Sequence, residues 1–275
     1  MEFWSFLGDK NQDHQREWKN MLKKTPACII RELAMGISKN LENDSAPLHV
    51  AARIGDPEIF QLLMENSLKK YPLNSCGWTP FHLAAMYGQI RICEILSNYK
   101  INKIFENNYG QMTPPHKKAR ERLENGVDKN PKDTMGFTPL HFAAYFDHPK
   151  TCKWLLENKV DKNARTNCGS TALHCAVMRG FLEICKILLE YKIDINSRDR
   201  IGLTPLHIAA RDGYLDVCKY LIGFGADKTL LCNNGKTPLK LAAEKQHFKV
   251  VLFLLENSPE EKWIQEKMMK VILEM

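Results

Sequence analysis

One four-residue pattern recurs along this chain at a nearly constant interval, and it limits the possible folds more than any other feature. The copies begin at Ala46, Thr79, Thr138, Thr171, Thr204 and Thr237, and most of them read Thr-Pro-Leu-His or a close variant. Successive copies are 33, 59, 33, 33 and 33 residues apart. A unit of this length buries its apolar faces only against its neighbours, so we expect the copies to stack into an elongated array.

Each copy carries the local signals of two short helices. A glycine two residues before the threonine, for example Gly202, allows a turn with positive φ. The threonine is a good N-cap, and the proline after it suits the first helical position because it lacks an N–H that would have no acceptor there. Ala209 and Ala210 then allow another helix to approach closely, and Gly213 ends the first helix. Apolar residues at helical spacing follow and indicate a second helix.

These features resemble the ankyrin repeat, whose motif Gly-x-Thr-Pro-Leu-His-x-Ala-Ala recurs with a 33-residue period. The resemblance covers roughly residues 45–257. It implies an all-α fold, an ankyrin-repeat solenoid of stacked helix-turn-helix units with projecting hairpin-like turns. It also implies that the protein holds other proteins on the concave face that the turns and first helices form. We expect about six regular repeats within residues 45–258.

The interval of 59 residues contains a weak copy of the motif at Thr113, and residues 123–130 (LENGVDKN) parallel residues 156–163 (LENKVDKN). Only one helix fits between these two segments at 1.5 Å per residue. We therefore expect a degenerate half-repeat near residues 103–134 that interrupts the regular stack between the second and third repeats. Its helix is basic, which favours a solvated face, and a localisation or anion-contact element is the alternative.

The two ends of the chain lack the motif but carry apolar residues at helical spacing. We expect an N-terminal helical capping segment over residues 1–44 and a C-terminal capping helix over residues 259–275, because open stacks need capping units. The C-terminal helix would begin with Ser258 as N-cap and Pro259 at the first position. Docking onto a partner or a membrane surface is the alternative for both segments.

Neither the motifs nor the composition indicate an enzyme. The chain has no glycine-rich phosphate loop, no nucleophile elbow and no His-Glu-x-x-His motif. We therefore expect no enzymatic activity, no cofactor, no metal and no small-molecule substrate. The formal net charge of +7 is modest for 275 residues, so nucleic acid is not expected as a partner.

The sequence also carries signals about the compartment. It shows no signal peptide and no stretch long enough to span a membrane. Its nine cysteines are an odd number without a Cys-x-x-Cys pair, which favours reduced thiols. These features predict a monomeric cytoplasmic protein, with the nucleus as an alternative compartment.

Two columns of potentially reactive side chains run through the repeats. One consists of the motif histidines His49, His82, His141, His174 and His207. Because neighbouring repeats lie roughly 10 Å apart, these histidines cannot share a zinc ion whose ligands lie about 2.0–2.1 Å away. The resemblance implies that they hydrogen-bond locally and to the neighbouring turn. The other column consists of Cys93, Cys152, Cys185 and Cys218, which share their position with Phe60 and Val251. We predict a buried apolar site there.

Alignment of the copies indicates where a partner would bind. In the ankyrin family, contacts concentrate at the turn tips and at the end of the first helix, and interface cores favour aromatic residues, methionine and arginine. We predict a partner-binding site of Trp78, Met86, Tyr87, Phe137, Tyr145, Phe146, Met178, Arg179, Arg211 and Asp212. The alternative is that some of these side chains fill the groove around the irregular half-repeat.

The resemblance carries one further implication and leaves several functions open. Asn163 and Asn196 occupy the loop position that asparaginyl hydroxylases modify in some ankyrin proteins. We expect a non-enzymatic intracellular adaptor or scaffold that binds a protein. The alternatives are an inhibitor that occludes a kinase or transcription factor, and a substrate-recognition subunit of an enzyme or ubiquitin-ligase complex.

Overall fold

The computed structural model describes residues 47–66, 72–98 and 128–256. These ranges contain six pairs of short helices and no β-strand. The pairs are α1 (Pro47–Ile54) with α2 (Pro57–Asn66), α3 (Pro80–Met86) with α4 (Ile90–Asn98), α5 (Pro139–Tyr145) with α6 (Pro149–Glu157), α7 (Ala172–Met178) with α8 (Leu182–Glu190), α9 (Pro205–Asp212) with α10 (Leu215–Gly223), and α11 (Pro238–Glu244) with α12 (Phe248–Glu256). The predicted all-α solenoid of stacked helix-turn-helix units is confirmed.

Within the described ranges, first helices pack on first helices and second helices on second helices. The alanine pairs make this approach possible, since Ala84, Ala85, Ala209 and Ala210 are fully buried in the first-helix layer. The cysteine column is fully buried in the second-helix layer, as predicted, at the same depth as Phe60 and Val251. Burial raises the pKa of the Cys185 thiol to about 12, so this thiol stays protonated and unreactive.

In four repeats the threonine and histidine of the motif begin the first helix together. In α9, Thr204 has φ −91° and ψ 165°, and its hydroxyl accepts the backbone N–H of His207 at 3.4 Å. The imidazole Nδ1 of His207 in turn accepts the backbone N–H of Thr204 at 3.2 Å. This reciprocal arrangement satisfies two N–H groups that the helix itself leaves without acceptors, and Pro205 removes a third.

The second and third helix pairs stack directly on each other, although the chain between them is longer than elsewhere. His82 Nε2 lies 3.1 Å from the carbonyl oxygen of Phe137, and His141 Nε2 lies 3.1 Å from that of Ser170 at a regular junction. The predicted interruption of the stack at this junction is therefore wrong. The physical reason is that residues 128–137 form a complete regular turn. This turn occupies the position next to the second helix pair that a half-repeat would have taken.

Several predicted segments lie outside the residues that the structure describes. These are the N-terminal capping segment over residues 1–44, the basic helix within the half-repeat near 103–134, and the capping helix over residues 259–275. They stay predictions. Within the half-repeat region, the structure describes residues 128–134 as part of the regular turn that leads into α5.

The direct stacking predicts that residues 102–127 can be deleted. The deletion joins residues 99–101 (YKI) to Asp128 and restores the spacing of a regular junction, where residues 191–193 (YKI) precede Asp194. We expect cooperative unfolding with a free energy of unfolding equal to that of the full chain or higher by about 1–2 kcal/mol, because each halving of loop length removes about 0.6 kcal/mol of closure entropy. Urea denaturation followed by circular dichroism measures this. A lower free energy of unfolding would show that the deleted residues contribute to the core.

Candidate functional site

The histidine column joins each repeat to the next one. In four repeats the imidazole Nδ1 accepts the backbone N–H of the motif threonine, at 2.9 Å for His82 and 3.2 Å for His141. Because Nδ1 is the acceptor, the proton of a neutral ring lies on Nε2, which donates to a backbone carbonyl of the following turn. These distances are 2.8 Å for His49 to Trp78 and 3.1 Å for His174 to Leu203. The predicted structural role of the column is confirmed.

Burial keeps these histidines neutral. Desolvation lowers the pKa of His82, His174 and His207, and it lowers the pKa of His141 to about 4. Hydrogen bonds to the following turn oppose the effect of burial without overcoming it. Among the residues that the structure describes, no three His, Cys, Asp or Glu side chains come together in a way that could hold a metal ion.

The lowered pKa values predict that acid weakens the fold. Histidine in the unfolded chain binds a proton near pH 6.5, whereas buried His141 does so only near pH 4. The contribution of the neutral histidine to the free energy of unfolding is therefore complete above pH 6.5 and is lost as pH falls towards 4. For His141 alone we expect a loss of about 1 kcal/mol per pH unit in this window. Urea denaturation between about pH 7.5 and about pH 5 measures it.

The His141→Gln variant isolates this effect. Its free energy of unfolding should fall less steeply with pH than that of the wild type, whatever its value at neutral pH. His247→Gln, which makes the same substitution at a half-buried histidine outside the column, is the matched control for the substitution itself. An unchanged slope in His141→Gln would contradict the assignment of the acid sensitivity to the column.

The projecting turns form a hydrogen-bonded ladder of their own. The backbone N–H of Thr134 donates to the carbonyl of Cys76 at 3.1 Å, and that of Arg200 donates to Cys168 at 2.9 Å. Inside three of the turns a polar side chain (Asn74, Asp133 or Asp199) accepts two N–H groups, as Asp199 does from Ile201 and Leu203. The turns are therefore rigid enough to hold exposed side chains at a fixed repeat.

Trp78 takes part in this ladder and is not available to a partner. It is only 9% exposed, and its indole N–H donates to the carboxylate of Asp133 at 3.0 Å. Its ring also packs edge-on against Phe142, with centroids 5.5 Å apart. The prediction that Trp78 lies in the partner-binding site is therefore wrong: the side chain fills the space between the second and third repeats, and burial of its N–H requires the Asp133 acceptor.

Met86 is a second correction. Its side chain is buried, and its carbonyl accepts the Nε2–H of His148 at 2.7 Å. It is the last residue of α3, and its side chain belongs to the hydrophobic core. The correction for Trp78 has a clear origin: the third repeat packs where the sequence suggested an interruption, and its Asp133 and Phe142 cover the Trp78 side chain.

The other predicted aromatic residues gather around a buried ring. Phe142 is 2% exposed, and the ring centroids of Phe137 and Phe146 lie 5.6 and 6.5 Å from its own. The Tyr145 ring lies edge-on to that of Phe146 at 5.2 Å. Sequence reasoning overlooked Phe142, which sits inside the first helix directly after the motif histidine. The apolar residues at that place in other copies, such as Ile208, could have indicated its burial.

Tyr87, Phe146 and Arg179 occupy the same place in three successive repeats, each capping the C-terminal end of its first helix. Tyr87 is 36% exposed and Arg179 is also exposed. The guanidinium of Arg179 lies over the Tyr145 ring, 5.2 Å from its centroid, which is a cation–π geometry. We refer to Tyr87, Tyr145, Phe146 and Arg179 as the aromatic face.

The remaining predicted contact residues lie beside the aromatic face or further along the stack. Met178 and Phe137 are half-buried and pack against the core. Arg211 and Asp212, at the end of α9, form an ion pair with Nε–Oδ1 and Nη2–Oδ2 distances of 2.8 and 2.9 Å. Since this pair neutralises itself, it adds polarity rather than net charge to that end of the surface.

The two asparagines predicted as modification sites lie at the start of successive turns. Asn163 is exposed, and its backbone N–H donates to Asp161 at 3.0 Å. Asn196 is half-buried, and its side-chain oxygen accepts the backbone N–H of Asp227 at 2.9 Å. The two side chains therefore differ in accessibility, and their modification stays a prediction.

In the part of the chain that the structure describes, none of the helices combines the length and apolar character needed to span a bilayer.

Comparison with known proteins gives the repeat a family. The family model described as "Ankyrin repeats" matches the chain three times, over residues 22–107, 116–199 and 192–265. Human "Ankyrin repeat domain-containing protein 53" is 31% identical over 107 residues, which are 34% of this chain and 20% of that protein. "Tyrosine-protein kinase Shark" of Drosophila melanogaster is 36% identical over 83 residues, 29% of this chain and 9% of the kinase.

A third relative is matched over more of its length. The "Probable 26S proteasome regulatory subunit p28" of Saccharomyces cerevisiae is 30% identical over 147 residues, which are 48% of this chain and 62% of that protein. The chain thus spans less than two thirds of each of these relatives.

Proposed function

The chain belongs to the ankyrin-repeat family, and from this premise we propose that it is an intracellular adaptor or scaffold that binds a partner protein on its concave face. Ankyrin repeats are protein–protein interaction modules, and the family is generally non-catalytic. We further propose that the partner contacts the aromatic face and that the protein binds it without catalysing a reaction.

The aromatic face is the observation that supports this proposal. Phe146 stacks on the buried Phe142 ring and Tyr145 packs edge-on against Phe146, so the orientation of both rings is set before a partner binds. Rings held in this way lose little conformational entropy on binding, while tyrosine and arginine are among the residues that contribute most to interface energies. Arg179 and the exposed part of Tyr87 add polar groups around the apolar centre.

Two alternatives use the same surface. An inhibitor would occlude the active surface of one kinase or transcription factor, whereas an adaptor would hold at least two partners at once. The similarity to a protein named as a proteasome regulatory subunit supports a third role, a recognition subunit within an enzyme complex such as a ubiquitin ligase. Recovery of two partners in one complex favours the adaptor, and loss of an assayable activity of a single partner favours the inhibitor.

Substitution of Tyr87 and Tyr145 tests the aromatic face. We expect the Tyr87→Ala/Tyr145→Ala variant to lose at least about tenfold of its partner binding, because a truncated hot-spot residue costs about 2 kcal/mol or more. Phe146 is left in place, since its ring stacks on Phe142 and its loss would disturb the core. Proximity labelling identifies partners of the wild type, and titration of the purified proteins measures the affinities.

Tyr220→Ala/Phe224→Ala is the matched control. Like the test variant, it removes two aromatic rings. These two rings lie on α10 and at its C-terminal end, where they stack on each other with centroids 4.7 Å apart. This variant should keep wild-type affinity. If the Tyr87/Tyr145 variant keeps its fold by circular dichroism and binds every partner as the wild type does, the aromatic face is not the site.

The accessibility of the two asparagines sharpens the modification proposal. Hydroxylation should be greater at exposed Asn163 than at Asn196, whose side-chain oxygen is bonded to Asp227. Peptide mass spectrometry of protein purified from its own cells measures the fraction of each peptide that carries one added oxygen atom. Absence of that oxygen from both peptides would contradict the proposal, and a higher fraction at Asn196 would contradict the argument from accessibility.

A further inference from the structure

A column of cationic side chains runs along the turns, apart from the aromatic face. Lys132, Arg165 and Arg198 occupy the same place in three successive turns. Each donates to the backbone carbonyl of the equivalent residue in the next turn: Lys132 to Arg165 at 3.5 Å, Arg165 to Arg198 at 2.7 Å, and Arg198 to Leu231. These bonds hold the three cations in line, one per repeat, at intervals of roughly 10 Å.

The cation column keeps its positive charge exposed. All three side chains are exposed, and none of them forms an ion pair with a described residue. The carboxylates that follow them in sequence point elsewhere: Asp133 is buried, and both Asp133 and Asp199 accept backbone N–H groups within their own turns. The acids of this edge are thus used to build the turns, while the bases remain accessible.

A second set of lysines with the same spacing shows the difference. Lys153, Lys186 and Lys219 lie on the second helices at 33-residue intervals. Lys186 pairs with Glu183 at 3.5 Å, and Glu157 and Glu190 follow Lys153 and Lys186 by one helical turn. Carboxylates therefore neutralise this second set in part, and it serves as an internal reference for the cation column.

Exposed apolar side chains accompany the cation column. Leu231 continues it by one repeat and is 51% exposed, and the turn tips present Met135 at 39% and Ile201 at 61% exposure. Isolated apolar residues at a surface are common, but here three of them share an edge with cations that form no ion pair with any described residue. A surface that combines both features suits a polypeptide better than a nucleic acid, for which stacking rings would be expected.

We propose that this edge binds an extended acidic segment of a partner protein, at a site separate from the aromatic face. A polyproline II chain rises about 3.1 Å per residue and completes one turn in three residues, so every third side chain lies on the same face at intervals of about 9 Å, close to the spacing of the repeats. A segment with a carboxylate at every third position would meet one cation per repeat, and the apolar residues between the acids would contact the turn tips.

Binding of a synthetic peptide to the full-length chain tests this site. The probe is a fluorescent peptide with Glu at every third position and Val or Leu between, and its isomer collects the same Glu residues at one end. We expect anisotropy titrations to show at least about threefold tighter binding of the periodic peptide, because only its carboxylates match the column. The affinity should fall as salt rises, since the cations are exposed.

Two charge-matched variants locate the interaction. Lys132→Gln/Arg165→Gln/Arg198→Gln removes three charges, but glutamine can still donate to the backbone carbonyls, so the fold should persist. We expect this variant to lose roughly fivefold to tenfold of the affinity, as three exposed ion pairs would contribute together. Lys153→Gln/Lys186→Gln/Lys219→Gln removes the same charge from the second helices and should bind as the wild type does.

Several outcomes would overturn the proposal. Equal losses in the two variants would show that net charge alone attracts the peptide. Equal affinity for the two peptide isomers would show that the column does not set the spacing. Tighter binding of a single-stranded oligonucleotide, lost in the Lys132/Arg165/Arg198 variant, would assign the edge to nucleic acid instead. The Tyr87→Ala/Tyr145→Ala variant should bind the peptide as the wild type does. Failure of the aromatic-face proposal and failure of this proposal are therefore distinguishable.

Discussion

The contact between a motif histidine and the following turn is the interaction on which the rest of the structure depends. Both ring nitrogens are used: Nδ1 accepts the threonine N–H that begins the helix, and Nε2 donates to a carbonyl one repeat away. One side chain therefore sets the start of a helix and the position of its neighbour together. Because Nδ1 can accept a hydrogen bond only in the neutral ring, burial that lowers the histidine pKa preserves this pair of bonds.

This dependence on neighbours explains how the stack accepts a long connection. A repeat needs a turn of the right chemistry against its histidine, and it does not matter how far along the chain that turn lies. His82 finds the carbonyl of Phe137 across 55 residues with the same 3.1 Å distance that His141 finds across 29. Loop entropy rises only slowly with length, so local geometry outweighs the longer connection.

The regular stack also decides which side chains remain available for binding. Residues that face the next repeat are buried by packing, as Trp78 and Phe142 are. Residues at helix ends and turn edges stay at the surface. Interactions with the scaffold fix both surfaces. The aromatic face packs on the buried Phe142 ring, and the side chains of the cation column donate to carbonyls of the next turn. Two surfaces of different chemistry can thus share one scaffold.

Much of this protein was determined by its sequence alone. The helix starts, the structural histidines and the buried cysteines follow from residues within one repeat, whose period is visible in the chain and whose chemistry is local. The family and the all-α solenoid follow from the same period. The burial of Phe142 was overlooked, but it could also have been inferred from the apolar residues at the equivalent positions of other copies.

Only the tertiary structure decided how remote segments pair. The weak copy of the motif at Thr113 predicted an interruption after the second repeat, whereas the structure bonds the turn at residues 128–137 directly to that repeat. This contact buries Trp78 against Asp133. The alignment of Lys132 with Arg165 likewise depends on a bond between turns. Such contacts join residues far apart in the chain, so no local pattern records them.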